Sequence, residues 1–222
     1  QAEVDAGTDD ARIVTPKKLK ESSHLALVST SAKGLVPTAP DKVYQALRGD
    51  GNWGGIPYVL YKSTTTVSIS NSNSETTIFS VTVPANMLGT HNMVRVTILG
   101  GIVKNAAGVN GSHTWRLKYG STTVNTWTSP DAGQDSASQY PYKYEGHLFP
   151  ANGSTSQQRG SWTNCLSKWW AGGSNAIMSA LVDSPAGENS TQNKTLSVTF
   201  QFDQANANIQ FYVYMVLVEV LQ

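Results

Sequence analysis

Two stretches of the sequence combine aromatic rings with amides, hydroxyls and single charges, a chemistry suited to binding carbohydrate. Flat rings stack on the apolar C–H faces of sugars, while Asn, Gln, Asp and Ser hydrogen-bond the sugar hydroxyls. The first stretch, residues 129–145, reads as irregular, and at about 17 residues it is longer than most loops without a function. Its candidate binding residues are Asp135, Gln139, Tyr140, Tyr142 and Tyr144.

The second stretch spans residues 152–174, and its candidates are Arg159, Trp162 and Trp169. Two interpretations stay open here, because a Trp ring packs into a core or against a neighbouring subunit as readily as it binds a sugar. For Tyr140 and Tyr142, which flank Pro141 in a polar context, we expect exposure and a part in binding.

Little in the sequence supports catalysis. Glycan-cleaving enzymes use two carboxylates held close together, and the acidic residues after position 56 show no spacing that marks a pair. No Ser lies in a G-x-S-x-G pattern. The four His are scattered singly and Cys165 is the only cysteine, so no metal-ligand pattern is present. We therefore expect no catalytic residue, no metal and no cofactor.

Charge and hydropathy exclude two further classes of function. The 222 residues include 16 Lys and Arg against 15 Asp and Glu, a net charge of +1, and only 14% of residues are charged. Without a basic cluster, the chain has no electrostatic footprint for nucleic acid. No apolar run approaches the ~18 residues of a membrane-spanning helix. We expect neither a nucleic-acid partner nor membrane insertion.

The periodicity of the sequence changes near position 56. Residues 1–55 contain short apolar stripes and predict only brief helices, at 15–19 and 39–47. Residues 56–222 alternate with period 2 between turn-forming clusters. Strands are predicted over 66–70, 76–84, 93–103, 113–119, 122–127, 144–149, 175–182, 195–202 and 209–221. The sequence thus predicts an all-β protein, with an antiparallel, jelly-roll-like β-sandwich at 56–222 after a short amino-terminal segment at 1–55.

The last predicted strand, 209–221, is apolar on both faces, with polar residues only at Gln210 and Glu219. Such a strand should be central in its sheet and covered on both sides, because an exposed edge of this kind would promote aggregation. Phe211, Val213 and Met215 are therefore candidates for contacts between copies of the chain.

The amino-terminal segment contains two motifs. Residues 2–19 read AEVDAGTDDARIVTPKKL, while residues 33–37 and 47–54 read KGLVP and LRGDGNWG. They resemble the repeat AEVxAGTDxxxxVTPxxL and the neck motif KGLVPxP…LRGDGxW of tail fibres and related receptor-binding proteins of tailed bacteriophages. Longer fibres carry several repeats, and this chain has one. The resemblance covers residues 1–55.

The resemblance implies a homotrimer in which three amino-terminal segments wind together and lead into a globular head. Leu19, Val43 and Leu47 would then meet their copies around a three-fold axis, and Trp53 would anchor the neck. The expected partners are further copies of the chain, other tail and baseplate proteins, and a glycan or outer-membrane protein on the host. The expected location is the virion, after synthesis in the bacterial cytoplasm.

The expected function is that of a non-enzymatic tip that attaches the virion to its host. Two alternatives stay open. The chain could be a structural baseplate or collar component without receptor binding, or a glycan-cleaving tail enzyme.

Overall fold

The structure, a computed structural model, describes residues 45–47, 53–55, 57–106, 111–129, 138–166, 176–181 and 187–221. The chain divides into two compact units, Gln1–Ile56 and Pro57–Gln222. Within the described residues, the strands are interrupted by one short 3-10 helix, Ala151–Gly153. None of the described residues forms a helix long and apolar enough to span a membrane.

In the first unit, the described residues form one antiparallel pair of strands. β1 is Gln45–Leu47 and β2 is Trp53–Gly55, with Leu47 opposite Trp53. The helix predicted over 39–47 is therefore wrong at its last three residues. The Gly-Asp-Gly sequence between the two strands favours a hairpin, and this local turn preference outweighs the weak helical stripe. Leu19 and Val43 lie outside the described residues, as do the side chains of Leu47 and Trp53.

The second unit is built from two antiparallel sheets. The larger sheet has the order β11-β10-β9-β6-β13-β3, and β4 continues the edge beside β13. Its strands are β3 (Tyr58–Ser63), β4 (Val67–Ser70), β6 (Met93–Lys104), β9 (Ser138–Pro150), β10 (Gln158–Leu166), β11 (Ala176–Leu181) and β13 (Ile209–Leu221). The smaller sheet has the order β5-β12-β7-β8. Its strands are β5 (Thr76–Val83), β7 (His113–Tyr119), β8 (Thr122–Ser129) and β12 (Lys194–Phe202).

This strand order is that of a jelly roll. The chain passes repeatedly between the sheets, and strands distant in sequence pair side by side, as two Greek keys require. β10 and β11 are an addition that widens the larger sheet beyond β9. The predicted fold class is thus confirmed, and all nine predicted strands are present. The sequence reading missed β3 and β10, and it missed the first half of β9, which it assigned to the irregular stretch 129–145.

Aromatic side chains fill the space between the two sheets. The Trp115 ring of β7 stacks on Tyr144 of β9, with centroids 4.9 Å apart, and meets the Phe211 ring of β13 edge-on at 5.2 Å. Phe200 of β12 stacks on Phe211 at 4.3 Å. Each ring is fully buried. These contacts clamp one sheet to the other, because each joins a strand of the smaller sheet to a strand of the larger one.

A buried carboxylate, Glu188, ties the β7–β8 turn to the segment before β12. It is 5% exposed, and it accepts hydrogen bonds from the Ser121 backbone N–H at 2.7 Å and from the Ser121 and Thr122 hydroxyls at 2.9 and 3.0 Å. Lys194 pairs with its other oxygen at 2.7 Å. The hydrogen bond from Lys194, more than any other contact, lowers the pKa of Glu188 to about 2, although burial opposes the shift. The turn needs a glycine at position 120, because a Cβ on this residue would overlap the carboxylate of Glu188.

We expect Glu188→Gln to lower the free energy of unfolding by about 2–3 kcal/mol at pH 7, because it removes the charge that four donors bind. The folded-state pKa lies below the ordinary value of 4.5, so this stabilisation is present above pH 4.5 and is lost as pH falls towards 2. The difference between the two proteins in chemical denaturation should shrink over that interval. Asp203→Asn, at an exposed turn residue, is the control and should change stability by less than ~0.5 kcal/mol. An equal effect of both substitutions would contradict the prediction.

Candidate functional site

Several side chains predicted to bind a ligand lie instead in the core. Tyr142, Tyr144 and Trp162 are 2%, 0% and 2% exposed, and all three pack against Trp115. Their predicted role in binding is wrong, because no ligand can reach these rings in the folded sandwich. The stretch read as an irregular loop is strand β9 from Ser138 onwards, and strand alternation directs residues 142 and 144 inwards.

The remaining predicted binding residues have different outcomes. Arg159 lies half-buried on β10. Gln139 and Tyr140 belong to β9, opposite Val103 and Ile102 of β6, but their side chains lie outside the described residues. Asp135 and Trp169 also lie outside the described residues.

β13 is central in its sheet, as predicted, but it is not buried on both faces. It is bonded to β6 on one side and to β3 and β4 on the other. Phe211 and Val213 are fully buried in the core of their own sandwich, so their prediction as contacts between copies is wrong. Met215 pairs with Leu99 of β6. Its side chain lies on the outward face of the sheet and is half-buried.

Among the described residues of the second unit, the exposed large apolar side chains lie on strands of the larger sheet. They are Val59, Leu99 and Tyr214, with exposed fractions of 50%, 38% and 44%. Tyr214 is the most unusual, since it stands beside a second tyrosine, Tyr212. The two rings are parallel within 3°, and their centroids are 6.3 Å apart. Both tyrosines lie on the outward face of β13.

A β-bulge in β13 places Tyr214 there. Val213 pairs with Gly100 and Met215 with the adjacent Leu99, so the register between β13 and β6 shifts by one residue at Tyr214. The register of the other neighbour is broken at the same point, since β4 pairs up to Val213 and β3 pairs from Val216. A bulge of this kind inserts one residue and redirects the side chains around it, and such bulges often lie next to binding sites.

Hydroxyl and amide groups lie on the strand segments next to the tyrosine pair. The gap between β3 and β4 holds three exposed threonines, residues 64–66, opposite the bulge. The hydroxyl of Tyr212 donates to Gln210, and the Gln210 amide donates to the Ser68 hydroxyl at 3.0 Å. We call this group the bulge site; it comprises Ser68, Gln210, Tyr212, Tyr214 and threonines 64–66. It combines an aromatic surface with hydrogen-bonding groups.

Two ion pairs lie on the same sheet. Arg95 binds Glu219 at 2.7 Å, and Lys143 binds Glu145 at 2.9 Å. The hydrogen bond from Lys143 lowers the pKa of Glu145. Burial, aided by the neighbouring cations and opposed by Glu145, lowers the pKa of His147, so this imidazole is neutral at pH 7.

The bulge site was missed in the sequence, although a signal for it was present. Inward-facing apolar residues of β13 are spaced by two at 211 and 213, by three to 216, and again by two at 218 and 220. A strand has period 2, so the interval of three requires one inserted residue between 213 and 216. Among the described residues, no group of three or more His, Cys, Asp and Glu side chains could hold a metal ion.

Neither a known protein-family model nor a curated protein sequence matches the chain. Among solved structures, the CBM2 module of the evolved Dit protein of Lactobacillus casei BL23 phage J-1 matches with a TM-score of 0.34 and 15% identity, over 63% of this chain and 67% of that one. The metal-free lectin I-B4 of Griffonia simplicifolia matches with a TM-score of 0.38 and 11% identity, over 75% and 93%. A structure of the Gt strain of infectious bursal disease virus matches with a TM-score of 0.33 and 12% identity, over 84% and 42%. With scores this low, function has to be argued from the residues of the chain itself.

Gly100 is the residue on which the bulge depends, because a Cβ at this position would overlap the carbonyl oxygen of Tyr212. We expect Gly100→Ala to lower the free energy of unfolding by ~1–3 kcal/mol, since backbone atoms must move to make room. Gly187→Ala is the matched control, as nothing lies within 4 Å of the added methyl group. Urea denaturation of both variants tests the prediction, and an unchanged midpoint for the Gly100 variant would contradict it.

Proposed function

We propose that the chain is the non-enzymatic receptor-binding tip of a bacteriophage tail, which attaches the virion to carbohydrate on the surface of its host. The amino-terminal motifs at 2–19 and 33–54, which resemble those of tail fibres, support the assignment to a phage tail. The bulge site supports the assignment to carbohydrate binding. The observation that carries the proposal is Tyr214, an exposed ring parallel to Tyr212, whose hydroxyl is hydrogen-bonded to Gln210.

An exposed aromatic ring offers a ligand a surface to bind. A buried tyrosine stabilises the fold, whereas Tyr214 leaves nearly half of its surface to solvent at a position created by a bulge. Tyrosine offers a ligand both an apolar face and a polar tip at little conformational cost. Sugars present the matching surfaces, apolar C–H faces and hydroxyl groups.

One cluster on the outward face resembles the order of a serine hydrolase triad. The Ser161 hydroxyl lies 3.3 Å from Nδ1 of His147, and Nε2 of His147 lies 3.4 Å from Glu145. A hydrolase also needs donors for the oxyanion of the intermediate. Ser161 lies in β10, which is bonded to β9 on one side and to β11 on the other. Because those ladders engage the neighbouring backbone N–H groups, the cluster supports a polar cross-strand contact better than a catalytic centre.

Assembly as a homotrimer would raise the strength of attachment. Three sites on one tip, and several tips on one virion, convert weak single contacts into a high avidity through effective concentration. A shallow site on a sheet face is well suited to this arrangement, because no single contact has to be tight.

The proposal is tested by competition for the host. Purified trimer should block adsorption of the phage to its host cells, whereas a structural baseplate component would bind virion proteins and leave adsorption unchanged. Release of reducing sugar from host polysaccharide would overturn the non-enzymatic part of the proposal.

Tyr214→Ala should weaken binding to host cells by at least about tenfold, the effect of losing ~1.4 kcal/mol per site. The melting temperature should stay within a few degrees of that of the unchanged protein, since the ring lies on the surface. Val59→Ala is the matched control, because Val59 is equally exposed on the same sheet but lies opposite Glu219, at the far end of β13. Equal losses in both variants would show that the bulge site is not the receptor site.

A further inference from the structure

We infer that the bulge site binds a neutral glycan, through ring stacking and hydrogen bonds and without an ion pair. This inference rests on the proposed function and narrows it, because bacterial surface polysaccharides include both neutral chains and chains that carry carboxylate or phosphate groups. The charged and uncharged residues around the tyrosine pair indicate which of these two kinds of polysaccharide the site can bind.

The residues that flank the tyrosines by register are all uncharged. Tyr212 lies opposite Ser68 of β4 and Gly101 of β6, and Gly101 in turn lies opposite Pro141 of β9. The residue after Tyr214, Met215, lies opposite Leu99 of β6. A sugar on the tyrosine pair would therefore meet hydroxyl, amide and apolar groups, and none of these has the positive charge that a desolvated anion needs as a partner.

Two cations of this face, Lys143 and Arg95, already have partners. Lys143, opposite Leu99, is held by Glu145, and Arg95 is held by Glu219. An anionic sugar could use either cation only by displacing a carboxylate, and it would be repelled by that carboxylate while doing so. Lys62 lies opposite Leu217, three positions beyond Tyr214 along β13, and is not among the residues that flank the tyrosine pair. The electrostatics of this face favour a ligand without charge.

The groups present match the needs of a neutral hexose. The apolar face of a pyranose can lie on the tyrosine rings, and its hydroxyls can both donate to and accept from the Gln210 amide and the hydroxyls at 64–66 and Ser68. A chain longer than one sugar can contact both rings, because their centroids are 6.3 Å apart. Neutral oligosaccharides or polysaccharides of hexoses are therefore the expected class of ligand.

The experiment is a binding assay of the full-length protein on a glycan array that carries neutral hexose oligosaccharides and matched chains with uronic acid, sialic acid or phosphate groups. We expect binding to neutral glycans, with at least a tenfold loss for Tyr214→Ala and no loss for Lys62→Ala. Between low and high salt, where the Debye length falls from roughly 10 to 3 Å, affinity should change by less than about twofold. Binding limited to charged glycans, a steep loss with salt, or a tenfold loss for Lys62→Ala would overturn the inference.

Two further readouts separate this inference from the proposed function. If no neutral glycan binds but the protein still adsorbs to host cells through Tyr214, the inference is wrong and the receptor role stands. If Tyr214→Ala leaves both cell and glycan binding intact, the bulge site fails in both roles. Sedimentation velocity should give the same oligomer for the Tyr214 variant, and its dissociation would assign this face to contacts between copies instead.

Discussion

Packing of aromatic rings between the two sheets is the constraint on which the rest of the structure depends. Trp115 on β7 contacts rings from β9, β10 and β13. One side chain therefore holds together strands that are distant in sequence. Its contacts require those strands to present their aromatic residues inwards. With the inward positions fixed, alternation along each strand also fixes which side chains face outwards. The core therefore determines the composition of the outward face.

This constraint explains why β13 contains a bulge. Phe211 and Val213 face the core at one end of the strand, and Val216, Val218 and Val220 face it at the other. A regular strand cannot bury both sets, because the interval between Val213 and Val216 is odd. An extra residue resolves the conflict, and Gly100 and the break between β3 and β4 leave room for it. Tyr214 is thus exposed because of core packing. The inserted residue lies at the point where the neighbouring strands leave room for it.

Sequence reasoning predicts the fold better than the site, and the reason is physical. Period-2 alternation is a local property, so nine strands and the fold class could be derived from it. Whether a tyrosine in a polar sequence is exposed depends on which sheet face it occupies, and that is decided by partners far along the chain. Tyr142 and Tyr144 have polar neighbours in sequence yet stack on Trp115. Tyr214 has apolar neighbours in sequence yet faces solvent, because of the inserted residue.

The low charge of the chain takes on a specific meaning in this arrangement. On the larger sheet, carboxylates neutralise basic groups: Glu219 of β13 pairs with Arg95 of β6, and Glu145 pairs with Lys143 within β9. Such exposed pairs contribute little to stability, but they reduce the field that would attract or repel a charged partner at long range. Under the proposed function, encounter with a receptor would depend on contact and not on steering, and each contact would be weak. A surface of this kind needs several copies acting together, which is the arrangement that a trimeric tip on a multivalent virion would provide.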